Sequence, residues 1–88
     1  QDYSEAAKWY HLAAEQGIDY AQNSLGTMYA RGDGVQRDFV QAYKWLTLSA
    51  SQGNTGSIDD RDIWTYGITP DQIAEAERLA REWKPKQQ

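Results

Sequence analysis

His11 and Glu15 are four residues apart, the spacing at which one helix face brings an imidazole beside a carboxylate. Such a pair could orient a general base or begin a metal site. Either role needs a further ligand or orienting partner, and His11 is the only histidine. The pair therefore reads as a contact on a helix surface. Asp59, Asp60 and Asp62 form the densest acidic cluster. A calcium loop would need oxygen ligands at alternating positions, a central glycine and a closing glutamate, and this stretch lacks that order. It reads as a solvated helix face, with acid near the N-terminus favoured by the helix dipole. Asp71, Glu75 and Glu77 could serve glycoside hydrolysis only if two carboxylates faced each other across a cleft. Their spacing puts them on one amphipathic helix, with their charges toward water. The turn GDGVQR, residues 32–37, has two glycines but neither a preceding strand nor the Lys-Ser/Thr end of a phosphate-binding loop. There is no Gly-x-Ser-x-Gly elbow, and the absence of cysteine excludes a thiolate nucleophile, a disulfide and a thiolate metal site. No catalytic, cofactor-binding or metal-ligating residue is assigned.

The elements that carry these residues follow from a repeat. DYSEAAKWYHLAAEQG, residues 2–17, and DFVQAYKWLTLSASQG, residues 38–53, match at Asp2/Asp38, Ala6/Ala42, Lys8/Lys44, Trp9/Trp45, Leu12/Leu48, Ala14/Ala50, Gln16/Gln52 and Gly17/Gly53. An offset of 36 residues marks a helical repeat whose units bury their apolar faces against neighbours. Asp2 and Asp38 predict N-caps, and Gly17 and Gly53 predict stops. The first helix is expected over about 3–16, with Ala6, Trp9, Tyr10, Ala13 and Ala14 as its buried stripe. The second runs over about 19–31, with Ala21, Leu25, Met28 and Tyr29 inward. Gly26 in its interior predicts close approach by a bulky neighbour, for which Trp9 or Trp45 would suit. A third helix follows Asp38, and a fourth occupies 54–67, where Arg61 and Asp62 stand in the places of Leu25 and Gly26. Thr69, Pro70 and Gln72 spell a capping box that opens a fifth helix over 69–83. Lys84 to Gln88 read as a loose tail. Trp9 and Trp45, recurring in the same slot, predict core or repeat-to-repeat packing rather than ligand stacking.

Eighty-eight residues make one small domain. A net charge of −4, with nine Lys and Arg spread along the chain, argues against a grip on nucleic acid. No apolar run is long enough for membrane insertion, and no signal peptide is visible. A start at Gln1, almost inside a repeat, reads as a fragment of a longer protein.

Residues 21–53, AQNSLGTMYARGDGVQRDFVQAYKWLTLSASQG, resemble one full Sel-one-like repeat, a relative of the tetratricopeptide repeats. The resemblance rests on Ala21, Leu25-Gly26, Met28-Tyr29, the Gly32-x-Gly34-Val35 turn, Asp38, Ala42, Lys44-Trp45, Ala50 and Gly53. It implies an all-α, right-handed α-solenoid of antiparallel helix pairs with a C-terminal capping helix. Residues 1–17 would be the second helix of a truncated repeat, 18–53 a full repeat, 54–68 a degenerate last repeat helix, 69–84 the capping helix and 85–88 the tail. It also implies a non-enzymatic adaptor for protein–protein contact, of a kind often found in bacterial envelope, secretion, host-interaction or signalling settings. The compartment stays open between periplasm, secretion and cytoplasm. The chain departs from disulfide-linked branches of the family in having no cysteine, and from the apolar pattern at residues 59–62.

In such a stack the functional surface is a groove. Tyr20, Asn23, Thr27 and Arg31 form a stripe off the apolar face of the second helix, and Asp59 and Ile63 begin its counterpart on the fourth. A rigid groove with aromatic and hydrogen-bonding groups suits capture of a protein or peptide. The alternatives are the C-terminal repeats of a larger regulatory or cell-envelope-processing enzyme, and a structural cap with no partner of its own. Apolar residues around Tyr3, Ala7 and Tyr10, without an upstream neighbour, predict self-association through the first helix.

Overall fold

Asp2 and Asp38 begin two helices in the same way: each carboxylate accepts the backbone N–H three residues on, Glu5 and Gln41, at 3.1 Å. The same two helices also end alike. Gly17 and Gly53 adopt φ of 92° and 98°, a region that costs glycine little. Their N–H groups return to Ala14 and Ala50, while Ile18 and Asn54 reach back to Ala13 and Ser49, the paired bonds of a Schellman stop. In the computed structural model, which describes residues 2–86, the chain forms α1 (Tyr3–Glu15), α2 (Asp19–Arg31), α3 (Phe39–Ser51), α4 (Gly56–Trp64) and α5 (Pro70–Glu82). The described residues contain no strand. The architecture is an all-helical α-solenoid, with α1 on α2, α2 on α3, and α3 carrying both α4 and α5.

The core forms where these helices meet. Ala14, Ala21, Leu25, Trp45 and Leu48 cluster there, and Tyr10, Ala13, Tyr29, Ala80 and Trp83 pack around them. Gly26 does receive a close neighbour, but it is Leu46 rather than a tryptophan. A Cβ on Gly26 would lie 2.8 Å from Leu46 Cγ and 3.1 Å from the Ala42 carbonyl oxygen. Leu46 sits one helical step beyond Trp45, on the side of α3 that faces α2.

The paired tryptophans meet different fates. Trp45 is 1% exposed, whereas Trp9 is 64% exposed. His11 and Trp83 meet the Trp45 ring edge-on, each with centroids 6.1 Å away. Trp83 caps the C-terminal end of α5, which lies on α3; no described helix lies on α1 in the same way, so Trp9 stays in solvent. Ala7, expected at the open face of α1, is buried, because residues 34–35 of the α2–α3 turn lie against the first turns of that helix. Tyr3 is 41% exposed and Tyr10 half-buried.

Two further expectations need correction. The fourth helix is short, Gly56–Trp64, and its N-cap, Thr55, makes no side-chain cap bond. The described part of the tail is anchored. Trp83 Nε1 donates to Glu15 Oε1 at 3.0 Å, and the Lys86 N–H donates to the Glu15 carbonyl at 2.8 Å. Packing of Trp83 and Pro85 against Gly17 brings this segment back to the end of α1. Gln87 and Gln88 lie outside the described residues.

Candidate functional site

The α2–α4 contact is built on a directional chain of hydrogen bonds. Asn23 Nδ2 donates to Ser57 Oγ at 2.7 Å and to Asp60 Oδ2 at 2.9 Å. Ser57 Oγ donates to Ser49 Oγ at 2.8 Å, and Ser49 Oγ donates to the Asp19 carbonyl at 2.8 Å. Ser49 and Ser57 are fully buried, so each bond satisfies a group that would be costly to leave unpaired. Each hydroxyl accepts or donates in one direction, which lets the chain polarise cooperatively.

Asn23 therefore holds α4 to α2. It also borders a cleft of about 270 Å³ whose walls are Tyr3, Ala6 and Tyr10 from α1, with Ser24, Thr27, Met28 and Arg31 from α2. Thr27 is half-buried in that cleft. Arg31 bonds Asp33 through Nε at 2.9 Å, and its guanidinium lies 5.6 Å from the centroid of Trp64, so it bridges α2 to α4 at the opposite end from Asn23. Tyr20, 62% exposed, and Ile63, 67% exposed, stand outside the cleft, as does the exposed Asp59. The six candidate residues thus divide: Asn23, Thr27 and Arg31 share the cleft, and Tyr20, Asp59 and Ile63 lie outside it. Tyr3, Ala6 and Tyr10 were missed as cleft residues. Their signal was the repeat offset, which aligns them with Phe39, Ala42 and Leu46, the side of α3 that covers α2.

The other candidate chemistries resolve into structural contacts. His11 packs on Trp45, while Glu15 is taken by Trp83 and lies 4.0 Å from Lys86 Nζ. Asp60 is held by Asn23, and Arg61, in the place of Leu25, turns inward: its guanidinium lies 4.8 Å from the Tyr43 ring and donates to Thr47. Arg78 pairs with Glu75 at 2.6 Å and Glu82 at 2.9 Å along α5, which raises its already high pKa, Glu75 contributing most. Burial pushes the Tyr29 hydroxyl above its usual value, with Asp38 and Glu15 adding to it. Lys44 is lowered by burial against the Trp45 ring, 4.1 Å away, with Glu15 opposing the shift. Among the described residues, no group of three His, Cys, Asp or Glu could hold a metal ion, and no helix is long and apolar enough to cross a membrane.

Comparison with known proteins places this geometry. The crystal structure of c5321, a protective antigen present in uropathogenic Escherichia coli strains and displaying an SLR fold, superposes with a TM-score of 0.87. It is 37% identical, over 93% of this chain and 18% of that one. A sel1-like repeat-containing protein of Acanthamoeba polyphaga mimivirus is 40% identical over 53 residues, 60% of this chain and 10% of that protein. DAP3-binding cell death enhancer 1 of Rattus norvegicus is 40% identical over 53 residues, again 60% of this chain and 10% of the relative. The chain therefore spans about a tenth of the length of these relatives. The Sel1 repeat profile matches residues 1–18 and 19–54, the two segments that share the caps, the stops and the Trp-bearing helix. With that match over more than half its length, the chain belongs to the Sel1 repeat family.

Proposed function

We propose that this chain is a protein–protein interaction module that binds a peptide or protein segment along the α2–α4 face, through Tyr20, Thr27 and Arg31 with Asp59 and Ile63. The observation that carries the reading is the Asn23–Ser57–Ser49 ladder. It fixes α2 against α4 and leaves Tyr20 and Ile63 exposed, with Thr27 and Arg31 lining the cleft. A surface already ordered loses little side-chain and loop entropy when a partner docks. Exposed Tyr20 and Ile63 supply apolar contact, and Thr27 and Arg31 supply hydrogen bonding beside the cleft. Binding of this kind makes and breaks no covalent bond.

The test is retention of protein from the source cell lysate on the immobilised chain, against a Tyr20→Ala/Thr27→Ala/Arg31→Glu variant that keeps Asn23. A retained protein that the variant loses, at equal helicity, supports the groove. Equal retention moves the contact off this face. A second reading, a structural cap, is favoured by the closure of Trp83 and Lys86 onto Glu15. It is the one that stands if the wild-type chain retains nothing.

A further inference from the structure

Asp59, Asp62 and Ile63 fall at i, i+3 and i+4 along α4, the spacing of one helix face, and Tyr66 follows in the turn after it. All four are exposed: Ile63 is 67% and Tyr66 92% exposed, and the Asp62 side chain is 69% exposed. By the 36-residue offset they occupy the places of Asn23, Gly26, Thr27 and Ala30 on α2. On α2 this face is largely covered. Leu46 and Ala42 of α3 press on Gly26, Ser57 and Asp60 of α4 bond Asn23, and Ala30 is 6% exposed. The fold thus already covers this surface once, with α3 over Gly26 and α4 against Asn23. On α4 the place is open, because α5 packs on α3 instead.

The residues on the open face say which helix fits. Asp62 replaces the glycine that lets Leu46 approach so closely, so an occupant must cross at a greater distance and bridge it with a long side chain. Lysine or arginine does this: the apolar stem lies along Ile63 and Tyr66 while the charged head reaches Asp62 and Asp59. The chain meets this face only in part: Arg61 Nε pairs with Asp62 Oδ1 at 3.7 Å, but its guanidinium is turned inward over Tyr43, the Asp62 side chain stays 69% exposed, and no described cation pairs with Asp59. We infer that the Asp59–Asp62–Ile63–Tyr66 face docks a basic amphipathic helix of a partner protein, in the position α3 takes on α2. This rests on the chain being an interaction module but not on the α2 stripe.

The probe is a synthetic amphipathic helix with leucines on one side flanked by lysines, titrated into the isotope-labelled full chain by NMR. A second peptide carries glutamate for lysine. Shifts are expected at residues 59–66. Asp62→Lys and Tyr66→Ser should each weaken the lysine peptide more than about tenfold. Glu77→Lys, which makes the same charge change on α5, should leave its affinity within about twofold. Circular dichroism confirms that each variant is folded, and Tyr66→Ser decides the matter if Asp62→Lys is not. The inference is overturned if the glutamate peptide binds equally, if Glu77→Lys costs as much as Asp62→Lys, or if the shifts gather at Tyr3 and Tyr10. It is also overturned if the chain dimerises and Asp62→Lys abolishes the dimer, which would make a second copy the occupant. Tyr66 is no part of the α2 stripe, so lysate capture kept by Tyr66→Ser while peptide binding is lost separates the two readings.

Discussion

Leu46 Cγ lies 2.8 Å from the point a Cβ on Gly26 would occupy, with the Ala42 carbonyl oxygen at 3.1 Å beside it. The contact fixes the distance between α2 and α3, the most extensive helix pair in the molecule. A larger residue at 26 would gain helix propensity, about 1 kcal/mol for alanine over glycine. It would meet both a branched carbon and the backbone, and overpacking of this sort typically costs about 1–3 kcal/mol. Gly26→Val should therefore lower the thermal midpoint by several degrees, and Leu46→Ala in the same chain should restore part of the loss. A calorimetric double-mutant cycle checks both.

Trp9 and Trp45 fill the same repeat slot but should respond very differently to truncation. Trp45→Ala opens a cavity among Leu25, Leu48 and Trp83 and should cost about 3–5 kcal/mol. Trp9→Ala removes a side chain that is 64% exposed and should stay within about 0.5 kcal/mol. Urea denaturation of the two variants is the measurement.

Asn23→Ala leaves Ser57 and Asp60 without their shared donor. Losing a partner to a buried polar group costs about 1–3 kcal/mol. The loss should be local: hydrogen exchange should speed up across Gly56–Trp64 and leave α1 unchanged. Uniform acceleration along the whole chain would count against a ladder that mainly holds α4.

Alkaline pH should expose Tyr29. Burial, helped by Asp38 and Glu15, raises its folded pKa above the ordinary 10.0. A group raised in the folded state holds its proton longer there than in the unfolded chain, so its contribution is complete below pH 10 and is lost as pH climbs through the folded value. Lys44 has the opposite sign. Its folded pKa lies below 10.5, so deprotonation relieves the cost of burying its charge and stability rises with pH in that window. Thermal melts from neutral pH upward should show Tyr29→Phe declining less steeply than the parent above pH 10. Lys44→Met should decline more steeply, because it lacks the compensating gain.

Much of the fold was legible because it is written twice. The Asp caps, the glycine stops and the Thr69–Gln72 capping box are local signals, satisfied by atoms within a few residues, and the helices begin or end at them. Burial was less legible. Nothing around Trp9 distinguishes it from Trp45; the difference lies in Trp83, on a helix that packs on α3 and has no counterpart over α1. The stripe of Asn23, Thr27 and Arg31 could be read from helical period, but the partners of Asn23 stand 34 and 37 residues away. Arg61 shows the same limit: it stands in the place of Leu25, and the residues that draw it inward, Tyr43 and Thr47, lie on another helix.

A stack of repeats ordinarily unfolds like a row of coupled units, each sensing only its neighbours, so one end can fray while the other holds. The bond from Trp83 to Glu15 spans 68 residues and joins the ends of α1 and α5, past the helices between them. Melting α5 therefore strips α1 of a partner directly, without waiting for α2–α4 to open. The tie favours concerted opening of α1 and α5, and it makes the one helix a reporter on the other.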